Sequence, residues 1–201
     1  DVTVYVSDQS DITSSFTLER PFAAVSNTRV DWEIIEFIGE PGTDNEMVVR
    51  DVGEVSALTL TATGSPVSGV ADDDAVAVFI TGQLNDSSGR INYNDGLFTA
   101  EWNAATAEPV FTRGDADSST DVSYAVVEFT GANWQVQRVE HVYTSAGVTE
   151  TESMDVIPSA NQAFVHAQKR VGDNLNGLDE FGHQVWISSI GAVSFQLRTG
   201  A

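Results

Sequence analysis

Carboxylates are the most abundant reactive groups in this chain: 17 aspartates and 13 glutamates stand against eight arginines and a single lysine, Lys169. Asp115, Asp117 and Asp121, within Arg113–Asp121, could offer hard oxygen ligands to Ca²⁺, which takes about 6–8 of them. The stretch lacks the glycine and closing bidentate glutamate of an EF-hand loop, so it matches a Ca²⁺ site only in part, and no other cofactor is expected. Arg113-Gly114-Asp115 spells an integrin-type tripeptide, but it joins the end of a strand to an acidic turn, where chance explains it. Asp72-Asp73-Asp74 fits a solvated turn ahead of a strand. His141, His166 and His183 are scattered, without metal-ligand spacing. Serine, histidine and aspartate are present, but no Gly-x-Ser-x-Gly elbow presents a nucleophile. Carboxylate pairs for glycoside hydrolysis carry no information in so acidic a chain. The absence of cysteine excludes disulfides, thiolate catalysis and Cys-type zinc sites together. The chain is expected not to be an enzyme.

The 201 residues carry a formal net charge of −21, and 41% of them are apolar, enough for a sizeable core. Phosphate recognition needs a basic patch, so nucleic acid is not an expected partner. Apolar runs such as Ala75–Ile80 are too short to cross a membrane, which takes about 20 residues. A surface so acidic repels itself less as salt shortens the Debye length, so a saline, extracellular setting is expected. The chain opens on Asp1, as a processed chain or a fragment would.

The elements that must position these groups are strands. Period-two alternation and β-branched runs recur at Val2–Val6, Ser15–Arg20, Val30–Phe37, Met47–Val52, Ala57–Ala62, Ala75–Gly82, Leu97–Trp102 and Val110–Arg113. They continue at Val122–Phe129, Trp134–His141, Val148–Ser153, Ala163–Arg170, Gln184–Ser188 and Val193–Arg198. Turn chemistry such as Pro41-Gly42, Asn94-Asp95-Gly96 and Gly131-Ala132-Asn133 separates them. No sustained helical stripe appears, so the fold is expected to be all-β.

Many of these strands occur twice. Val30–Phe37 aligns with Val122–Phe129, and Met47–Arg50 with Gln135–Arg138. Leu58–Thr61 aligns with Val148–Thr151, Ala77–Phe79 with Ala163–Val165, and Trp102 and Phe111 with Trp186 and Phe195. The period suits a six- or seven-stranded sandwich. The expected architecture is therefore two tandem antiparallel β-sandwich repeats, Ig-like or jelly-roll-like, over residues 1–114 and 115–201. Extra N-terminal strands at Val2–Val6 and Ser15–Arg20 pair within the chain or are lent to a neighbour.

Alternation puts Glu36 and Glu128 on the strand face of Trp32/Ile34 and Tyr124/Val126. Each repeat is expected to pair its glutamate with one of its arginines at the edge of the core. The candidate pairs are Glu36 with Arg50 and Glu128 with Arg138. Trp102 and Trp186, being equivalent, are expected in the cores. Trp134 follows a turn, has no aromatic counterpart, and is the candidate exposed contact.

Tyr124-Ala125-Val126-Val127-Glu128-Phe129, Val136-Gln137-Arg138 and Ala163-Phe164-Val165 resemble a β repeat of phage virion and microbial surface proteins. That resemblance implies a non-enzymatic structural role in a virion or extracellular assembly, as a capsid decoration, tail or fibre component. Its partners would be copies of itself or other virion and surface proteins. A carbohydrate-binding or adhesion module, recognising surface glycans through exposed aromatics, is the alternative.

Overall fold

A computed structural model describes residues 5–8, 17–19, 35–57, 59–85, 97–116, 119–142, 149–159, 162–170 and 183–197. Among them the protein is all-β. A 3₁₀ turn spans Asp73–Ala75, and among the described residues no helix is long and apolar enough to cross a membrane.

The strands are β1 (Tyr5–Asp8), β2 (Thr17–Glu19), β3 (Val48–Ala57), β4 (Thr61–Thr63), β5 (Val76–Asn85) and β6 (Phe98–Asn103). They continue with β7 (Glu108–Arg113), β8 (Thr120–Glu128), β9 (Thr149–Ser153), β10 (His183–Ser189) and β11 (Ala192–Leu197). Every pairing is antiparallel. β1 and β2 form a hairpin, and three sheets have the orders β3-β8-β5, β4-β7-β6 and β10-β11-β9. β1 and β2 pair with each other as a separate two-stranded sheet, and β1 lies near β5 and β8.

Residues 1–136 and 168–175 form one compact unit, residues 137–167 and 176–201 another. The change from one compact unit to the other at 136/137 differs from the repeat boundary expected at 114/115, and residues 168–175 return to the first unit. The cause is β8, which belongs to the second run of similar segments yet sits between β3 and β5 of the first. It pairs along its whole length with both, from Thr120 opposite Ala57 and Asn85 to Glu128 opposite Val48 and Val76.

Alternation places the core of this larger unit. In β7, Pro109, Phe111 and Arg113 are buried while their neighbours are less so. Phe98 and Phe111 of one sheet share a buried cluster with Val76, Val122, Tyr124 and Val126 of the other. The Phe111 and Tyr124 rings meet at 5.0 Å. The opposite face of β8 is covered too, at Ser123 and Val127. A strand buried on both faces reads as a nearly continuous apolar run, and Val122–Phe129 does so.

The turn after β8 docks on the turn before β3. Gly131 N donates to Glu46 O (2.9 Å) and Asn133 N to Asp44 O (2.8 Å). The Thr130 hydroxyl donates to the Glu46 carboxylate (2.6 Å). A Cβ on Gly131 would lie 2.3 Å from Asp44 O and 2.5 Å from Glu46 N, both backbone atoms. Gly131→Ala is therefore expected to cost about 2–3 kcal/mol and to undock this turn. Urea unfolding would show it, and an unchanged midpoint would refute the steric argument.

In the smaller unit β10 and β11 form a hairpin and β9 pairs with the other edge of β11, the same order as β4-β7-β6. The strands expected at Trp134–His141 and Ala163–Arg170 are absent: residues 134–142 and 163–170 run without regular structure. Residues 35–37, the described end of the strand expected at Val30–Phe37, are likewise not in a strand.

Candidate functional site

Among the described residues of the larger unit the most enclosed charge is Glu128, with 0% of its surface exposed. Its Oε2 accepts from Arg50 Nε at 2.6 Å, and its Oε1 accepts from the backbone amides of Ala71 (2.8 Å) and Asp72 (2.9 Å). Arg50 reaches it from a β-bulge, because the β3–β8 register slips between Val49 and Asp51, and a bulged residue is re-aimed out of the pleat. The loop entering β5 turns at Gly69, whose φ of 81° favours glycine. Burial pushes the Glu128 carboxyl up, but the Asp72 and Ala71 amides and then Arg50 outweigh it and hold it below the usual range. One carboxylate thus fastens β3, β8 and the loop that opens β5.

The partners differ from those expected. Glu128 takes Arg50, the arginine of the other run of segments, because β8 lies beside β3. Arg138 and Glu36 are both exposed, and no ion pair joins Glu36 to a described residue.

Arg113 is also enclosed, at 2% exposure. Its guanidinium donates to Thr59 O (3.0 Å), the Thr120 hydroxyl (3.0 Å) and Ala57 O (3.3 Å), and lies 5.4 Å from the Phe98 ring centre. It seals the end of the core, and so buried an arginine cannot display Arg113-Gly114-Asp115 as a recognition tripeptide.

The carboxylates that follow do not converge. Asp115 accepts from the adjacent Ala116 amide (2.7 Å), Asp121 accepts from the Ser56 hydroxyl across the sheet (2.5 Å), and Asp117 lies outside the described residues. Among the described residues no group of three or more side chains could hold a metal ion. Asp72 caps the 3₁₀ turn by accepting from Asp74 N, and Asp73 accepts from the Trp102 indole at 2.6 Å.

Tyr124, 2% exposed, donates its hydroxyl to Asp51 at 3.0 Å. Gly53 and Gly64 make room for it, since a Cβ at either would lie 2.7 Å from the hydroxyl oxygen. Burial and then the Asp51 hydrogen bond push the phenol up to about 12. A raised folded value means the contribution is complete below the unfolded value of about 10 and is lost as pH rises toward 12. The melting temperature should therefore fall across that window, and fall less in Tyr124→Phe. Parallel curves would refute the assignment.

Trp134 is 41% exposed, with its ring against Phe129 at 5.1 Å. Trp102 packs on the core cluster. Trp186 does not match it and is 37% exposed. It pairs with Ser194, whereas Val185 pairs with Phe195, and a one-residue offset moves a side chain to the other face. Trp32 lies outside the described residues.

The smaller unit holds one constellation that sequence reading missed. Glu150 and Glu152 alternate along β9 and share a face with Phe195 and Val193, opposite which they pair. The His141 ring stacks on Phe195, with centroids 4.6 Å apart and planes 11° apart. Its Nδ1 lies 3.0 Å from Glu152 Oε1 and its Nε2 2.9 Å from Glu150 Oε2. The carboxylates address opposite ring nitrogens, so the three groups make a clasp and do not converge on one ion. The Glu-x-Glu alternation was visible in the sequence, but nothing local pointed to His141. Gln137 adds a second fastening: its amide accepts from Asp155 N (2.7 Å) and donates to Asp155 O (3.1 Å).

No family model, no curated protein and no solved structure matches the chain.

Proposed function

We propose that the chain is a non-enzymatic structural component of a virion or another extracellular assembly, built from tandem β-sandwich repeats with extra N-terminal strands. The observation that supports this most is the sharing of a sheet across the repeat boundary. β8 opens the second repeat but stands between two strands of the first, with Arg50 and Glu128 fastening the crossing. Repeats joined through a whole strand resist being pulled apart, which suits a shell, tail or fibre. The reading needs no cofactor, and its partners are copies of the chain or other proteins of the particle. The net charge of −21 suits salt water, where repulsion between copies is screened.

A second reading, glycan adhesion, draws on the partly exposed indoles of Trp134 and Trp186, whose faces could stack on sugars. Immunogold labelling of particles and cells from the source organism tests both. Label on particles or cell envelopes, with no binding on a glycan array, supports the structural reading. Label confined to the cytoplasm overturns it, and sugar binding lost in Trp134→Ala replaces it with the adhesion reading.

A further inference from the structure

We infer that His141, Glu150 and Glu152 form a proton-operated fastening, in which the imidazole carries a proton on both ring nitrogens and holds residues 137–142 on the sheet of the smaller unit. The two contacts lie at opposite ends of one ring. Nδ1 is 3.0 Å from Glu152 Oε1, and Nε2 is 2.9 Å from Glu150 Oε2. An ionised carboxylate only accepts, and a neutral imidazole has one N–H and one bare nitrogen. With a neutral ring, one of the two contacts would set a lone pair against a carboxylate oxygen. Little water reaches the place to relieve that, since the ring keeps 7% of its surface in solvent and the Glu150 side chain 16%. A buried polar group facing its own kind is costly. A second ring proton makes each contact a donor facing an acceptor, and leaves one net negative charge where there would be two. Phe195, stacked on the ring at 4.6 Å, covers its face and leaves the edge with the two nitrogens to the carboxylates.

The two ends of this segment are fastened differently. At Gln137 the side-chain amide is paired with the Asp155 backbone at 2.7 and 3.1 Å, and neither group titrates. At His141 the docked segment binds a proton that the released one gives up to solvent. The fastening is therefore complete below about 6.5, where a solvated imidazole is protonated, and weakens as pH rises above it. Residues 137–142, the first of the smaller unit, then come free of the sheet. Among the described residues, β11 sets no other titratable group beside the ring, since Val193 and Phe195 stand opposite Glu152 and Glu150. On β10, Ile187 and Val185 stand opposite those two, and His183 stands opposite Leu197. Arg138 and Glu140 of the segment itself are exposed. Desolvation holds His166 below the usual imidazole range, so its share runs in the opposite sense and is lost as pH falls. Protonated histidines that fasten or release an element are a known form of switch.

Urea unfolding of the whole chain across this pH range, read on the methyl signals of Val185 and Val193, tests the inference. In the parent the unfolded-to-folded ratio at fixed urea should rise at least about tenfold from about pH 6.5 to about pH 8.5, out of the roughly hundredfold that one proton allows over that span. Glu150→Gln leaves the ring in place and offers Nε2 an NH₂ donor. Its ratio should stay nearly level and lie below the parent's at the alkaline end. His141→Gln should be level too. His166, His183 and the remaining carboxylates are common to all three chains, so the difference between parent and variant isolates the clasp. A parent no steeper than Glu150→Gln overturns the inference, as does a Glu150→Gln chain less stable than the parent at the alkaline end. The ring ¹⁵N shifts of His141 in the folded parent near neutral pH give a check that needs no variant to fold. Two protonated nitrogens are expected, and one bare nitrogen overturns the inference.

Discussion

Glu128→Ala is expected to destabilise the larger unit by about 3 kcal/mol at neutral pH, near the lower end for breaking a buried ion pair. The lower end applies because the Arg50 side chain keeps 22% of its surface in solvent and can be rehydrated, whereas the amides of Ala71 and Asp72 lose their acceptor. Glu128→Gln should come close to the same loss. Its oxygen can still serve the two amides, but its NH₂ then faces Arg50 Nε, donor against donor. The acid limb supplies an independent check. The carboxyl is held below its usual range, so its contribution is present above the unfolded value of about 4.3 and is lost as pH falls through the lower folded value. Urea midpoints of parent and variant should differ widely at pH 7 and converge as pH falls well below 4. Equal midpoints at pH 7 would show that the crossing is held by apolar packing alone.

The second large effect distinguishes two phenylalanines, Phe111 and Phe195, that align in the sequence. Phe111 has no exposed surface and lies among Phe98, Val122 and Tyr124 in a completed core. Phe111→Ala should cost about 3–5 kcal/mol, as large-to-small changes in packed cores do. Phe195 is only partly buried and has the stacked His141 ring where Phe111 has Tyr124. Phe195→Ala should cost less than half as much, because the transfer and cavity costs both shrink where packing is incomplete. Separate unfolding transitions, followed by amide exchange in β8 and in β11, measure the two. Equal losses would mean that the smaller unit is as fully packed as the larger.

Much of this organisation was legible in the residues. Alternation marked Phe111 and Arg113 for one face of β7, and the near-continuous apolar run at Val122–Phe129 suits a strand covered on both sides. Glu128 was expected to need an arginine at the edge of the core, and it holds one, but that arginine is Arg50 and not Arg138, while Glu36 is exposed. Trp186 was misread because likeness of sequence does not transmit register: an offset of one residue against β11 turned it to the opposite face. The strands expected at 134–141 and 163–170 were misread for a different reason. Their side chains carry a strand's pattern, but alternation alone does not form a ladder.

The sequence by itself determined the kinds of element and the faces they bury, because period-two alternation and turn residues act within a few positions of one another. It also determined that the chain would carry far more negative charge than its own basic residues can balance. Only the tertiary structure decided which strands became neighbours. Pairing joins residues about 78 positions apart, as Arg50 and Glu128 show, and such pairings leave no local mark on either strand. That choice placed β8 between β3 and β5 and gave Glu128 the arginine it holds. It also brought His141 onto Phe195 between two glutamates. These outcomes depend on which strand the surrounding chain brings alongside, so they are settled by packing and not by the residues nearby.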